Sequence, residues 1–498
     1  MLQSEPSLVA APEGGAVSLG PALLNSYADL PPRFYTDTLP GRVADPRLIK
    51  FNVGLAAELG LTVELDASTL AAVFSGNRPI AGSRPIALAY AGHQFGHFVP
   101  QLGDGRAILL GEVIDGKGRR RDVQLKGSGR TAYSRGGDGR AALGPVLREY
   151  VVSEAMHALG IPTTRALAAV TTGGSVLRDV ALPGAIVTRV AASHIRVGTF
   201  QYFAARGDTE GVRLLADYVI ARHYPHIASL ANPYLEMLRN VMQRQARLVA
   251  AWMGIGFIHG VMNTDNMTVS GETIDFGPCA FMDEFDPAKV FSSIDRQGRY
   301  AYANQPAAAH WNLARFAETL LPLIDSDSER AVQLATGVIE EFSRDFGDEW
   351  LAVMCRKVGL FTEEEGDAAL IQGLLDVMHR DHRDFTLTFR RLCVVAESEA
   401  AEIALDPEWI AQWRARMTKE PQPASEHAAF MRLVNPAFIP RNHRIEAVIA
   451  AAVEQGNFAP FEELNQVLSR PYEEQPGFAE YTKPPQPEER VLQTFCGT

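Results

Sequence analysis

A cluster of polar residues in the second half of the sequence has the residue types and spacing of a divalent-metal site. The run His-Gly-Val-Met-Asn-Thr-Asp-Asn occupies 259–266, and Asp275 follows it in an Asp-Phe-Gly triplet. Asparagine and aspartate supply the oxygen ligands that Mg²⁺ prefers when it bridges phosphates. Asp275 lies nine positions after Asn266 (275 − 266 = 9), so we predict a short hairpin that places both side chains on one ion. Taken alone, the segment is also typical of a polar hairpin with no catalytic role.

A lysine and a glutamate in the first half have the order of a nucleotide-phosphate site. Lys126 ends a short apolar run, Glu149 follows 23 residues later (149 − 126 = 23), and a Gly-Asp-Gly-Arg turn at 103–106 precedes both. Glycines let backbone N–H groups approach phosphate, a lysine on a strand supplies positive charge, and a glutamate on a helix holds that lysine. A third glycine at the usual spacing is missing, so an ordinary turn beside a surface lysine is the alternative. The two clusters together, in this order, favour the nucleotide site.

The interval from His259 to Asn266 is that of a protein kinase catalytic segment, but the usual base is missing. In a kinase the general base stands two residues after the histidine, and that position is Val261 here. Valine cannot accept a proton, so hydroxyl phosphorylation with that base is not supported. The carboxylate beside the site is Asp265, immediately before Asn266.

The elements that must position these residues form a β-rich part followed by a helical part. Between about 85 and 200, short apolar runs bounded by glycine, proline or charge predict an antiparallel sheet, with strands at 107–114, 122–127, 165–172 and 185–191. One helix, GPVLREYVVSEAMHALG, interrupts them and carries Glu149. After about 200 the periodicity predicts helices, over 211–224, 234–252 and about 306–420. We expect an irregular arm over 1–45, a short helical region over 46–75 and an extended tail from about 470.

Composition is that of a globular protein and excludes several classes of function. The 498 residues are 46% hydrophobic and 21% charged, and 47 Lys and Arg against 59 Asp and Glu give a net charge of −12. Binding to nucleic acid or to an anionic membrane needs an excess of basic residues, so neither partner is expected. The four cysteines lie far apart, as in proteins of a reducing compartment. With no leader-like N-terminus and no long apolar span, we expect a cytoplasmic protein.

Positive charge is nevertheless concentrated around Lys126. Residues 101–150 contain ten Lys and Arg and six Asp and Glu, a local balance of +4 (10 − 6) in an acidic chain. A basic pocket for a polyphosphate accounts for this balance. The alternative is a solvated loop, which is the better description of Arg119–Arg121. The glycine-rich stretch 126–140 resembles a second anion-binding loop.

Longer blocks of the sequence resemble the selenoprotein O family of protein-AMPylating pseudokinases. The resemblance is carried by YAGHQFGHFVPQLGDGRAILLGE, by QLKGSGRTAYSRGGDGRAALGPVLREYVVSEAMHALGIPTTR, by HGVMNTDNM with IDFGP, and by NPAFIPRNHRIEAVIAAA. It implies an α+β, bilobed, protein-kinase-like fold, with a β-rich N-lobe, a larger α-helical C-lobe and N- and C-terminal extensions. It also implies that ATP binds in a flipped orientation and that AMP is transferred to Ser, Thr or Tyr hydroxyls of target proteins with release of pyrophosphate. Transfer of UMP from UTP is the variant credited to bacterial relatives.

The resemblance also implies roles for individual residues, by matching position. Asp265 is implied as the proton acceptor, Asn266 and Asp275 as ligands of Mg²⁺ or Mn²⁺, and Glu149 as the partner of Lys126. The implied nucleotide contacts are Gly103, Gly105, Arg106, Lys126, Asp138, Gly139, Arg189, Arg196 and Asp275.

The cysteine nearest the end of the sequence, Cys496, stands where some family members carry selenocysteine, which suggests a redox role. The segment in which some relatives hold a partner cysteine is VFSSID at 290–295, and Cys279 lies at a different position. We therefore expect a regulatory disulfide to be absent or different in this chain. A free thiol in the tail is the alternative.

Four parts and three functions follow from these patterns. We predict an N-terminal extension over 1–84, an N-lobe over 85–200, a helical C-lobe over 201–425 and a C-terminal extension over 426–498. Transfer of AMP or UMP to proteins is the favoured function. A protein kinase that uses Asp265 as base and a non-catalytic nucleotide-binding scaffold are the alternatives.

Two further motifs have no assigned chemistry. His93 and His97 have the i, i+4 spacing of a metal pair but no apparent third ligand, so we expect structural hydrogen bonds there. The run NPAFIPRNHR at 435–444 has the proline and asparagine pattern of a turn before a helix.

Overall fold

The computed structural model describes residues 15–61, 64–398, 400–401 and 403–495, which fall into two units. Within these ranges, the first unit comprises the residues up to Ala89, Gly103–Val146 and Ala166–Val190. The second comprises Tyr90–Leu102, Leu147–Arg165 and the residues from Ala191 onward. The first is rich in strands and the second in helices.

The strands are β1 (Tyr35–Asp37), β2 (Arg47–Phe51), β3 (Ile86–Leu88), β4 (Gly92–Gln94), β5 (His97–Val99), β6 (Ala107–Ile114), β7 (Arg120–Lys126), β8 (Ala141–Ala142), β9 (Arg165–Leu177), β10 (Ala181–Ala191), β11 (Phe257–Ile258) and β12 (Ala280–Phe281). The α-helices are α1 (Val53–Glu58), α2 (Ala67–Phe74), α3 (Leu143–Ala158), α4 (Val197–Ala204), α5 (Thr209–His223), α6 (Pro233–Gly254), α7 (Gln305–Ile324), α8 (Ser328–Glu340), α9 (Phe342–Lys357), α10 (Asp367–Arg380), α11 (Phe385–Glu397), α12 (Pro407–Met417), α13 (Ala424–Val434), α14 (Asn442–Gln455) and α15 (Ala459–Leu468).

The sheet of the first unit has the strand order β1-β3-β6-β7-β10-β9-β2, and β8 pairs with β10. Its best-formed pair joins β6 and β7 in antiparallel register, from Ala107 opposite Lys126 to Ile114 opposite Arg120. Buried apolar side chains of β6, β7, β9 and β10 pack with α1 and α2 into one core. The four strands predicted between 107 and 191 are confirmed, as is the helix that carries Glu149.

Two strands at the edges of this sheet were missed by the sequence analysis. β1 lies in the expected irregular arm, and β2 lies in the region expected to be helical, ahead of α1. β2 pairs with β9 and β1 with β3, each antiparallel. Edge strands bury little of their surface and therefore leave a weak alternation in the sequence; every residue of β2 is at least partly exposed.

The helices of the second unit follow the apolar periodicity of the sequence. α6 shows why: the Asn232 side chain accepts a hydrogen bond from the N–H of Leu235, Pro233 stands in the first turn, and one face is buried from Met237 to Trp252. The helices predicted at 211–224, 234–252 and about 306–420 are confirmed, with boundaries shifted by a few residues. Among the described residues, no helix is long and apolar enough to cross a membrane.

The segment between α6 and α7 departs from the predicted hairpin. No strand lies between Asn266 and Asp275; instead β11 and β12 pair on either side of the whole segment. Thr268 and Thr273 bridge to Arg196 and Thr163 rather than to each other. The Thr268 hydroxyl, which donates to the carbonyl of Glu272 and accepts from its N–H, closes the turn between them. The prediction of two short strands was therefore wrong, because side-chain hydrogen bonds replace the main-chain ladder.

Candidate active site

The ends of the polar segment 259–277 are joined by a buried histidine. His259 is fully buried, and its Nε2 lies 2.8 Å from the carbonyl oxygen of Ile274, so this nitrogen must carry the proton and donate it. Nδ1 then accepts from the N–H of Val261 at 3.4 Å. The imidazole stacks on Trp252, and burial lowers the pKa of His259, which keeps the ring neutral. His259 is therefore a structural link that places the residues after it beside Asp275.

Asn266 is oriented by a hydrogen bond from its side-chain amide. The Nδ2 group donates to the carbonyl oxygen of Val261 at 2.9 Å, at the end of the 3-10 turn Thr264–Asn266. A carbonyl can only accept, so the contact identifies which amide atom is nitrogen. The Oδ1 atom, which is the atom suited to a divalent cation, is thereby turned away from Val261.

Arg196 brings Asp265 and Asp275 together. Its guanidinium is almost fully buried, lies over the ring of Tyr90, and donates from one nitrogen to the main-chain carbonyl of Asp265 (2.9 Å) and to Oδ2 of Asp275 (3.2 Å). Asp275 has a left-handed backbone, with φ +63°, an uncommon conformation outside glycine that is concentrated at functional sites. Two of the predicted site residues, Asp265 and Asp275, are thus hydrogen-bonded to the same guanidinium group.

The Asp265 carboxyl is enclosed and only partly hydrogen-bonded. Its Oδ1 is buried and accepts no hydrogen bond from any described residue. Burial raises the pKa of Asp265 to about 6, against the opposing effect of the Arg196 guanidinium. A carboxyl with these properties is able to take a proton from a hydroxyl group near neutral pH.

The β4–β5 hairpin forms one wall around Asp265, and sequence reasoning missed this role. A Cβ atom on Gly92 would lie only 2.6 Å from Oδ1 of Asp265, so the glycine permits the close approach. The N–H groups of His93 and Phe95 donate to the side chains of Thr264 (2.7 Å) and Asn263 (3.0 Å). The signal in the sequence was the glycine of the YAGHQFGH run, which has no local turn to explain it.

His93 and His97 lie in different environments. Nδ1 of His93 contacts the side-chain nitrogen of Gln201 at 2.8 Å, and Gln201 in turn accepts from the Thr264 hydroxyl at 2.6 Å. His97 is exposed at the start of β5. The expected hydrogen-bonding role is confirmed for His93. More widely, the described part of the chain contains no cluster of three or more His, Cys, Asp or Glu side chains that would hold a metal ion by themselves.

The first unit brings the glycine turn at 103–106 against the loop at 127–140. Cβ atoms on Gly103 and Gly105 would lie 2.3 Å and 2.8 Å from Tyr133, so both positions require glycine. The Thr131 hydroxyl donates to the carbonyl of Asp104 at 2.7 Å, and the N–H of Gly127 donates to the carbonyl of Arg106 at 2.7 Å. The turn and the loop are therefore one packed structure.

The remaining predicted nucleotide contacts of the first unit differ in environment. Lys126 is buried at the end of β7, and Arg189 is buried within β10. Gly139 has φ +67° and closes the loop against Gly129, whose N–H donates to its carbonyl. Asp138 forms an ion pair with Arg178 at 3.0 Å. Burial opposes its ionisation, but the hydrogen bonds from Arg178 and the Arg140 N–H outweigh this and lower the pKa of Asp138.

The last two predicted residues are Glu149 and Cys496. Glu149 is buried on α3, in the second unit. Cys496 lies outside the described residues. The other three cysteines, Cys279, Cys355 and Cys393, are buried and are not in disulfides.

Comparisons with known proteins identify a family model and several close relatives. A family model described as "Protein adenylyltransferase SelO" matches residues 22–469. The chain is 65% identical over 483 residues to the protein nucleotidyltransferase YdiU of Rhizobium rhizogenes, a match that covers 95% of this chain and 96% of the relative. It is 63% identical over 483 residues to the proteins of the same name from Rhizobium johnstonii and Bradyrhizobium sp., with 95% of this chain covered in each case and 97% and 98% of the relatives.

Proposed function

The chain belongs to the protein adenylyltransferase SelO family, and we propose that it transfers AMP from ATP to serine, threonine or tyrosine hydroxyls of other proteins. Family membership makes the chain an enzyme of nucleotidyl transfer to proteins, with a nucleoside triphosphate as co-substrate. The observation that supports the finer proposal best is the Asp265 carboxyl. It is buried, its Oδ1 accepts no hydrogen bond from the described residues, and Arg196 links its main chain to Asp275.

The proposed reaction is an in-line displacement at the α-phosphorus. The acceptor hydroxyl oxygen forms a bond to this phosphorus while the bond to the bridging oxygen breaks, and pyrophosphate leaves with that electron pair. The hydroxyl proton passes to the Asp265 carboxylate. A base acts mainly in the transition state, so Asp265 contributes to turnover rather than to nucleotide affinity.

Asn266 and Asp275 are the residues proposed to hold a divalent ion, Mg²⁺ or Mn²⁺. Their side chains suit such an ion, because a carboxylate oxygen and an amide oxygen are hard ligands. Phosphate oxygens and water molecules would supply the rest of its coordination shell. The hydrogen bond from Asn266 Nδ2 to Val261 leaves Oδ1 as the coordinating atom. When bound, the ion would neutralise negative charge on the phosphates.

The assignment of the phosphate-binding residues rests on their positions in the motifs shared with the family. We assign Gly103, Gly105, Arg106, Lys126, Asp138, Gly139, Arg189 and Arg196 to the nucleotide, in the flipped orientation, with Glu149 as the partner of Lys126. The packing of the turn at 103–106 against the loop at 127–140 supports a shared phosphate-binding surface. Asp138 would have to exchange or share its Arg178 partner to touch the nucleotide.

The architecture we propose is a bilobed kinase-like fold with terminal extensions. The mixed composition of a sheet-bearing unit and a larger helical unit supports it. The four-part division, with the N-lobe over 85–200 and the C-lobe over 201–425, is part of the same proposal. So are a cytoplasmic location and a redox role for Cys496.

Labelled nucleotides test the proposed reaction directly. ATP labelled separately at the α- and γ-phosphates is incubated with the protein and a mixture of acceptor proteins. We expect retention of α-label only; retention of γ-label only would establish the kinase alternative, and no retention would favour the scaffold. Mass spectrometry after incubation with ATP or UTP then identifies the added group as AMP or UMP, and fragmentation identifies the modified hydroxyl.

Replacing Asp275 tests the metal assignment. We expect Asp275→Ala to abolish transfer and metal-dependent nucleotide binding, because one of the two protein ligands is lost. The matched control is Asp376→Ala, which removes an exposed carboxylate that accepts a hydrogen bond from Gln372 on the same helix. Turnover by Asp275→Ala at the control's rate would remove Asp275 from the mechanism.

A further inference from the structure

Arg148, the residue before Glu149 on α3, is buried and contacts two separate parts of the second unit. Its NH1 group donates to the main-chain carbonyl of Cys279 at 3.3 Å, and its NH2 group forms an ion pair with Glu446 on α14. Cys279 comes four residues after Asp275 and is itself fully buried. One guanidinium therefore joins the helix that carries Glu149, the chain that follows the metal ligand, and the C-terminal extension.

The start of α14 holds the same stretch of chain. The Asn442 side chain donates to the carbonyl of Phe281 at 3.1 Å, and Arg441 forms ion pairs with Asp283 and Asp384. Asn442 and Glu446 are one helical turn apart and therefore lie on the same face of α14. These contacts suggest a structural role for the motif at 435–444, to which the sequence assigned no chemistry. Its last residues bind the chain at 281–283 and hold it in place.

Contacts along α3 continue this arrangement. The ring of Tyr150 packs edge to face on Phe461 of α15, with 5.4 Å between ring centroids. Beyond the end of α3, the Tyr472 hydroxyl donates to the carbonyl of Leu159 at 2.9 Å. The part of α3 that belongs to the second unit is thus held at both ends by the C-terminal extension.

We propose that Arg148 is a positioning residue for nucleotidyl transfer, which acts by fixing Glu149 relative to the segment that follows Asp275. Two adjacent residues of one helix cannot move independently, so a guanidinium fixed to Cys279 and Glu446 also fixes the backbone of Glu149. Arginine suits this task because its planar fork reaches a carbonyl and a carboxylate at once. The inference rests on the proposed function, in which Glu149 holds the phosphate-binding Lys126.

A double-mutant cycle with Glu149 tests the inference. We expect Arg148→Gln to lower kcat for AMP transfer about tenfold, equivalent to about 1.4 kcal/mol in the transition state. If Arg148 acts through Glu149, the same substitution has little further effect in a Glu149→Gln background. A residue that only stabilises the fold would lower activity by the same factor in both backgrounds. The proposal would therefore be overturned if Arg148→Gln lowered kcat by the same factor with and without Glu149→Gln. It would also be overturned if Arg148→Gln had the wild-type kcat.

A second variant and a matched control keep the test independent of folding. Glu446 is half exposed, so Glu446→Gln should fold, and we expect a smaller loss of kcat that also disappears in the Glu149→Gln background. The control is Glu154→Gln, on the same helix as Arg148, which breaks the paired contact with Arg165 at the start of β9 but leaves the Cys279 and Glu446 contacts intact. It should retain wild-type kcat; a loss as large as that of Arg148→Gln would show that any ion pair on α3 matters equally and would refute the proposal.

The cycle is also measured on the affinity for ATP with Mn²⁺, by titration calorimetry. If the wild-type chain bound ATP but transferred no α-label, the proposed function would fail, while coupling between Arg148 and Glu149 in ATP affinity would still support their positioning relation. If the chain transferred α-label and the two residues acted independently in both measurements, the proposed function would stand and the inference about Arg148 would fail.

Discussion

Replacing Gly92 by alanine tests whether the position of the Asp265 carboxyl controls turnover. Gly92 has no positive φ, so its backbone accepts alanine without strain. The new Cβ, however, would lie 2.6 Å from Oδ1 of Asp265 and 3.0 Å from its Cβ and Cγ. Ordinary contact begins near 3.4 Å, so the carboxyl or the hairpin must move by about 0.8 Å (3.4 − 2.6).

A displacement of this size is large for a group that is proposed to receive a proton. Misplacing a reacting group by about 1 Å can cost about 100-fold in rate, so we expect kcat to fall about 10- to 100-fold. Asn266 and Asp275 are not among the nearest contacts of the added methyl group, so the KM for ATP and the metal requirement should change little. The perturbation should therefore separate turnover from nucleotide binding.

The assay is the initial rate of AMP incorporation from α-labelled ATP, with thermal unfolding measured in parallel. Gly337→Ala is the matched control, because it adds the same methyl group to an exposed helical glycine with nothing within 4 Å, and it should leave kcat unchanged. A Gly92→Ala protein with wild-type kcat and wild-type stability would refute the role given to the carboxyl's position. A rise in KM alone would place the effect on nucleotide binding instead.

Two further predictions concern the base and a buried lysine. Asp265→Asn should lower kcat by about 10²- to 10⁴-fold with little change in nucleotide affinity, since it removes the base and keeps the shape; calorimetric titration with ATP and rate measurements on the same sample check this, and equal losses in both would contradict it. Burial lowers the pKa of Lys357 from 10.5 to about 7, so between those pH values the unfolded state binds more protons and the free energy of unfolding gains up to about 1.4 kcal/mol per pH unit from this group. Urea unfolding at pH 7, 8 and 9 should show this rise in the wild type relative to Lys357→Met, and parallel curves would refute it.

The sequence was informative where each element carries its own pattern. The strands at 107–114 and 165–172 lie in the core and have continuous apolar runs, and the helix around Glu149 has a buried stripe bounded by glycine. Asp265, Asn266 and Asp275 could be singled out because their side chains have the chemistry that the proposed reaction needs. Both kinds of signal, the apolar pattern of an element and the chemistry of a side chain, can be read from one stretch of sequence. Neither requires knowing which distant residues pack against that stretch.

What the sequence did not reveal depends on contacts between distant segments. Gly92 lies 173 residues before Asp265 (265 − 92 = 173), and only their proximity shows why the glycine has no side chain. In the sequence Arg148 is one of many charges in a basic stretch, and only the fold brings Glu446, 298 residues later, beside it. The predicted hairpin failed for a related reason, since Thr268 and Thr273 bond to residues outside the segment. Tertiary contacts of this kind leave no periodicity.

The mismatch with the kinase pattern at Val261 has a structural explanation. Residue 261 contributes through its main chain: its N–H donates to His259 and its carbonyl accepts from Asn266. Its side chain is buried, so a carboxylate there would lose its hydration, whereas valine is accommodated. At Asp265, in contrast, the Arg196 guanidinium donates to the main-chain carbonyl of the same residue. Its positive charge therefore lies close to the enclosed carboxylate and partly compensates for the lost hydration. The interval from His259 to Asn266 can therefore be kept while the proposed base moves from the kinase position to Asp265, beside the proposed metal ligand Asn266.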